Sequence, residues 1–446
     1  MRFDEENVLS KLGSFGPFIV VISALYCTSC MAETSLNKPN VVLIVADYMG
    51  ASDIGPYGAT DIQTPSLDRL ASQGVLFTDS YAAAPICGPS RAAIMTGRYP
   101  AKIGFEGNIH EGNSLNAALP TLPSLLEQRG YANGHFGKWH LGHSEQSDPL
   151  AHGFDEFLGY HFWSINHYTH LNDSGEEALT HDRDIVEREG YLTEIITDES
   201  VRFIKENRDS SFFLYLSYNT ALPPYLGPNL PPEQWVSGFD DGTATREDYI
   251  SMVEAMDVGV GRILDALDDL NLTDNTLVVF TYDHNGRHVV RNAPFSGGFA
   301  TLNEGGIRVP LIMRWPGNFQ NGVELRRPAI NMDISATILN AAGVETESLD
   351  LDGHDLLHEQ TPDEERTFFW RITLGDFGQA AVRRKNWKLL VHRIATFSRP
   401  TIYLFDLESD PGESNDLYHQ HKEIADGLYR ELIEWEATAA KPDPTR

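Results

Sequence analysis

Four short apolar runs constrain this chain most: VVLIVAD (41–47), FFLYLSY (212–218), LVVFTYD (277–283) and VPLIMRW (309–315). Each is continuous rather than alternating, and rich in β-branched or aromatic residues. That is the pattern of parallel strands covered on both faces. Helical periodicity lies between them, at SLDRLASQG (66–74), LPSLLEQRG (122–130), DESVRFIKEN (198–207) and YISMVEAMDVGVGRILDALDDL (249–270). The first two end on Gly74 and Gly130, where a helix C-cap favours glycine. The alternation predicts an α/β main domain over 39–350, a mixed, mostly parallel sheet flanked by helices. After residue 350 the short runs TFFWR, QAAVRR, WKLLVH and TIYLFDL follow with no helix between them, and then HKEIADGLYRELIEWEA. These predict a small C-terminal α+β subdomain over 351–446, an antiparallel sheet plus one helix.

In open α/β sheets the ligand site lies at the carboxyl ends of the strands, where Asp47 and Asp283 stand. Either acid alone reads equally as a cap or turn residue. His284 follows Asp283 directly, however, and Asp47, Asp283 and His284 together offer a donor set for a divalent cation. Carboxylates favour a hard ion, while the histidine leaves zinc or manganese open. In ICGPSRAAIMTGRYP (86–100), a turn at Gly88-Pro89-Ser90 is expected to open a helix near Arg91. That puts Cys87 and several backbone N–H groups at a helix N-terminus, a geometry that binds anions and lowers a thiol pKa. A buried structural cysteine is the alternative. The histidine-rich HFWSINHYTH (161–170) reads as an aromatic loop on the substrate side or as exposed surface.

Charge narrows the partners. With 64 acidic and 34 basic residues the formal net charge is −30, which disfavours nucleic acid and anionic membranes as partners. An anionic substrate then needs a locally positive pocket. Near the N-terminus, FGPFIVVISALY (15–26) has the length of a signal-peptide core and is too short to span a bilayer. The reading is an exported protein, periplasmic or secreted, with residues 1–32 as the signal and cleavage after Ala32. A lipid anchor at Cys27 or Cys30 lacks a convincing lipobox. Cleavage leaves Cys87 as the one cysteine, so no internal disulfide can form.

The segment Cys87-Gly88-Pro89-Ser90-Arg91 matches the signature C-x-P-S-R, and the chain resembles the sulfatase family from there outward. PNVVLIVADYMG, IQTPSLDRLASQGVLFTDSY, GKWHLG (137–142), HGFDEFLGY, EGGIRVPLIMRWPG and LFDLESDPGESNDL resemble family segments in the family's order. The resemblance implies hydrolysis of a sulfate monoester of a small molecule or glycan. Cys87 would be oxidised to formylglycine by a formylglycine-generating enzyme, and its hydrate would attack the sulfur, dividing one hard step into two. It implies calcium at Asp47, Asp283 and His284 beside the Cys87-derived oxygen, with Asn285 as the alternative to His284. Arg91 and Lys138 would neutralise the sulfate and the nucleophile, and His140 would hydrogen-bond the formylglycine hydroxyl.

Three positions depart from the family pattern. Tyr48 stands where a second metal-binding aspartate is usual, Leu222 where a histidine follows the middle strand, and Phe299 where a lysine precedes the E-G-G. A leucine cannot protonate a leaving alcohol and a phenylalanine cannot neutralise a sulfate oxygen. One such loss costs on the order of 100- to 1000-fold in rate. Arg287, His288, His110 and His143 are candidates to compensate. The substitutions support a second reading, a catalytically impaired relative that binds sulfated ligands or a partner. A third, a phosphate- or phosphonate-ester hydrolase, is disfavoured by the cysteine, since those relatives often use threonine or serine with two metals.

Overall fold

The computed structural model describes residues 38–107, 114–235, 244–357 and 366–439. The proposed signal, 1–32, and His110 lie outside the described residues. A ten-stranded sheet forms the frame. From one edge its order is β11 (Val323–Leu325), β2 (Val75–Phe77), β10 (Leu311–Arg314), β9 (Thr276–Tyr282), β1 (Asn40–Ala46), β8 (Phe212–Ser217), β4 (Ala132–Lys138), β5 (Glu156–Tyr160), β6 (Thr180–His181) and β7 (Asp184–Ile185). The five central strands, from β9 through β5, are mutually parallel. A two-stranded pair, β3 (Ser80–Tyr81) with β12 (Ala329–Ile330), lies apart from this sheet.

Strand β1 shows why its sequence is apolar throughout. Val42, Ile44 and Ala46 pack on one face with α1 (Pro65–Ser72), α5 (Leu192–Glu206) and α6 (Arg246–Asp269). Val41, Leu43 and Val45 pack on the other with α2 (Cys87–Thr96), α4 (Leu122–Glu127) and α8 (Met332–Ala341). Both faces are dry, so no position along the strand favours a polar residue.

Two expectations are corrected. The run 309–315 was expected to be another parallel strand, but β10 is antiparallel to both β9 and β2. A parallel return needs a crossover of a dozen or more residues, usually helical. The only helix between β9 and β10 is the four-residue α7 (Glu304–Ile307). Helix α2 begins at Cys87, not near Arg91. Pro89 sits in its first turn, where the N–H that proline lacks has no intrahelical partner anyway. The short α3 (Pro100–Ile103) follows.

The C-terminal strands β13 (Thr367–Leu374), β14 (Phe377–Arg384), β15 (Trp387–Ile394) and β16 (Thr401–Asp406) form an antiparallel meander. Helix α9 (Lys422–Ala439) packs on it through Leu428, Leu432 and Trp435. A buried ionic network fastens this sheet to the main body. Lys388 Nζ on β15 reaches Glu304 Oε1 at 2.8 Å and Glu413 Oε1 at 2.9 Å. Glu304 Oε2 accepts from Tyr81 and Arg308 at 2.7 and 2.8 Å.

Candidate active site

Four adjacent parallel strands end side by side, and each delivers a polar group to one edge. In the order β9, β1, β8, β4 these are Asp283, Asp47, Ser217 and Lys138. Helix α2 brings its first turn against that edge. Its Ser90 hydroxyl donates to the carbonyl of Asp283, and Asn331 Nδ2 donates to Ser90 Oγ at 2.8 Å.

Both aspartates divide their oxygens between two tasks. Asp47 Oδ2 accepts from Lys138 Nζ at 2.5 Å and from Arg91 at 2.9 Å, while Asp283 Oδ2 accepts from Arg91 Nε at 2.9 Å. The Oδ1 atoms turn the other way. His284 Nε2 lies 3.7 Å from Asp47 Oδ1, 3.8 Å from Asp283 Oδ1 and 3.0 Å from Cys87 Sγ. These donor atoms of Asp47, Cys87, Asp283 and His284 all fall within 4.8 Å of one another. A hard cation held at about 2.4 Å from each ligand fits a cluster of that width. The donor set therefore fits a divalent ion, with two carboxylate oxygens at its heart.

Arg91 is fully buried and every guanidinium nitrogen is engaged. Besides the two carboxylates it donates to the Lys138 carbonyl and Tyr215 hydroxyl at 3.2 Å each, and to Ser217 Oγ. Burial alone would raise the Asp47 pKa, but Lys138 and Arg91 hold its carboxyl well below the usual range. Asp283 moves the other way, raised by burial and by the neighbouring Asp47 charge against the opposing pull of His284, Arg91 and Lys138. Burial would lower His284, yet Asp283, the Cys87 sulfur and Asp47 push it up to about 10. A positive imidazolium between two carboxylate oxygens marks a place that favours a cation.

His140 lies two residues past Lys138 with φ of 56°. Burial and the charges of Lys138 and Arg91 push its pKa far down, so the ring is neutral. Its Nδ1 is buried and meets no partner among the described residues. Asn285 turns its Nδ2 to the Arg308 carbonyl at 2.6 Å, whereas His284 Nε2 points into the cluster.

The three departures cluster in two places. Tyr48, with φ of 59°, packs its ring 5.1 Å from Phe299 and 6.0 Å from His284. Phe299 is itself 5.1 Å from His284, and the guanidinium of Arg287 stands 5.7 Å over its face. Leu222 is buried in a separate segment, whose Asn219 Nδ2 lies 3.3 Å from His167 Nε2. His288 is exposed, as is His143, which stacks on Phe162 at 6.3 Å.

The stretch 161–170 is divided between two environments. Phe162 and Thr169 are exposed, but His167 is fully buried against Tyr191 and has its pKa lowered to about 3 by desolvation. Sequence reasoning missed Ser90, Tyr215, Ser217 and Asn331. Ser90 stood inside the signature and was legible there; the others hold the site through contacts more than 120 residues away in the chain.

Comparison with known proteins agrees with this architecture. A sulfatase family model matches residues 39–344, and a model described as N-sulphoglucosamine sulphohydrolase, C-terminal, matches 300–438. N-acetylgalactosamine-6-sulfatase of Rattus norvegicus is 36% identical over 373 residues, covering 76% of this chain and 68% of that protein. Steryl-sulfatase of Rattus norvegicus is 32% identical over 419 residues, covering 72% and 70%. The solved structure of Ps i-CgsB superposes with a TM-score of 0.82 at 31% identity, covering 91% of this chain and 94% of that one. The chain belongs to the sulfatase family. It is a sulfuric ester hydrolase.

Proposed function

We propose that this sulfatase cleaves a sulfate monoester on a carbohydrate, using formylglycine made from Cys87 and a calcium ion held by Asp47, Cys87, Asp283 and His284. The observation that carries the reading is the position of Cys87: its Sγ lies at the start of α2 and faces the converging Oδ1 atoms and His284 Nε2. Formylglycine supplies a hydroxyl nucleophile at that point, and calcium supplies positive charge beside it. The chain's own groups do the rest. Arg91 bridges both aspartates and so fixes the spacing of the inner oxygens. Lys138 neutralises Asp47 from the outer side. His140, neutral and with an open Nδ1, suits a hydrogen bond to the nucleophile.

Carbohydrate is favoured over steroid by two facts. N-acetylgalactosamine-6-sulfatase is the more similar of the two relatives, and Ps i-CgsB has also been solved in complex with k-i-k-neocarrahexaose. The Phe162–His143 stack beyond the ends of β5 and β4 is an exposed aromatic surface suited to the face of a sugar ring. In this reading residues 39–350 form the catalytic region, 351–446 the C-terminal subdomain, and 1–32 an export signal. Among the described residues no helix is long and apolar enough to cross a membrane.

The test is sulfate release from sulfated monosaccharides, sulfated oligosaccharides, a steroid sulfate and an aryl sulfate by calcium-loaded protein with converted Cys87. Release from sugars is expected. Tight glycan binding with no release from any ester would favour instead the impaired, ligand-binding reading, which the buried Leu222 supports.

A further inference from the structure

We infer that Arg287 grips the sulfate group of the substrate, supplying the positive charge that Phe299 cannot. The inference rests on the sulfatase reading of this site. An anionic ester entering a protein of net charge −30 needs a cation with donors to spare. Arg91 has none, because all its nitrogens are committed to Asp47, Asp283, the Lys138 carbonyl, Tyr215 and Ser217. Lys138 is fully buried and its charge is shared with Asp47, to which it gives one of its three donors.

Arg287 differs on each count. It is exposed, and no carboxylate pairs with it among the described residues. Its guanidinium lies over Phe299, whose ring borders His284 of the cluster. The placement is built in: the Phe299 amide donates to the Gly286 carbonyl at 3.2 Å, and the Gly286 amide donates to the Met49 carbonyl at 2.9 Å. The residue after Gly286 is thereby held opposite the Phe299 ring. Stacking on a ring face leaves the in-plane N–H donors of a guanidinium free, which suits two parallel hydrogen bonds to two sulfate oxygens. Phe299 thus acts as the platform for a cation contributed by a neighbouring loop.

The experiment compares the unaltered protein, Arg287→Ala and Arg287→Lys, each with converted Cys87 and bound calcium. Inorganic sulfate is the probe, titrated by calorimetry and as a competitive inhibitor of aryl sulfate hydrolysis. Arg287→Ala should weaken sulfate binding about 10- to 100-fold and raise KM in step, with calcium content unchanged, and Arg287→Lys should recover part of the loss. Unchanged sulfate affinity in Arg287→Ala overturns the inference, and so does a fall in kcat alone, which would mark a residue that only supports its loop. Because calorimetry needs no turnover, a protein that binds sulfate but hydrolyses nothing would sink the catalytic reading while still reporting on Arg287.

Discussion

The rings of Tyr48 and Phe299 pack 5.1 Å apart, so two departures from the family pattern are one structural event. An acid is usual at the first position and a lysine at the second. Replacing both by rings removes one negative and one positive charge together, and the local balance around His284 is kept. An acid at position 48 facing the present Phe299 would lack that partner.

The two positions should therefore be coupled. Tyr48→Asp alone is expected to cost about 3 kcal/mol, since it buries a carboxylate against an aromatic ring, although aspartate tolerates the left-handed backbone there. Adding Phe299→Lys should recover about 1–3 kcal/mol of interaction energy in a double-mutant cycle measured by urea unfolding. The double variant should also bind calcium more tightly by titration, through the added anionic oxygen. Strict additivity would show that the two sites are independent.

Arg91→Lys should be far from conservative. An ammonium cannot span Asp47, Asp283 and Ser217 at once as the guanidinium does. Leaving part of that buried cluster unpaired is expected to cost about 3–5 kcal/mol in unfolding free energy. Calcium affinity should fall with it, because Arg91 sets the distance between the inner carboxylate oxygens. A variant with unchanged stability and calcium binding would contradict this role.

Leu222 makes a prediction about leaving groups. An aryl sulfate departs without help, whereas a sugar alcohol needs a proton donor. Leu222→His should therefore raise kcat/KM for sugar sulfates at least about 10-fold more than for an aryl sulfate. Equal effects on both classes would mean that the new histidine does not reach the departing oxygen.

The parts of the fold written in local pattern were legible. β1, β8 and β9 are covered on both faces, so their apolar runs announced them, and the short runs with no helix between them announced the C-terminal meander. β4 was not, although it carries Lys138. Its sequence, ANGHFGK, is polar and glycine-broken because neighbours leave no room: a Cβ at Gly134 would press on the Phe203 ring, and one at Gly137 would strike the Ser217 carbonyl. The cysteine signature was visible as a string, but the division of each aspartate's oxygens was not. That depends on strand order, which brings residues 47, 138, 217 and 283 to one edge. The pairing of Tyr48 with Phe299 was hidden for the same reason, being a contact across 251 positions.

The ionic network under the C-terminal sheet predicts a pH effect. Burial would raise Glu304, but Lys388, Arg308 and Arg383 bring its pKa down from 4.5 to about 2. A depressed carboxylate stabilises the fold above its unfolded pKa and loses that contribution as pH falls. Unfolding free energy should thus decline between pH 4.5 and 2, and Glu304→Gln should flatten that part of the profile. Lys388→Met, which strands Glu304 and Glu413, should cost about 3–5 kcal/mol at neutral pH. Parallel profiles for the unaltered protein and Glu304→Gln would refute the assignment.

In the proposed function, sulfate ester hydrolysis runs through residue 87. That dependence is read by measuring sulfate release from a sulfated sugar across preparations in which the converted fraction of Cys87 has been determined by peptide mass spectrometry. Release should be proportional to that fraction, with none from Cys87→Ala. Release that persists in Cys87→Ala, or that does not change with conversion, would contradict it.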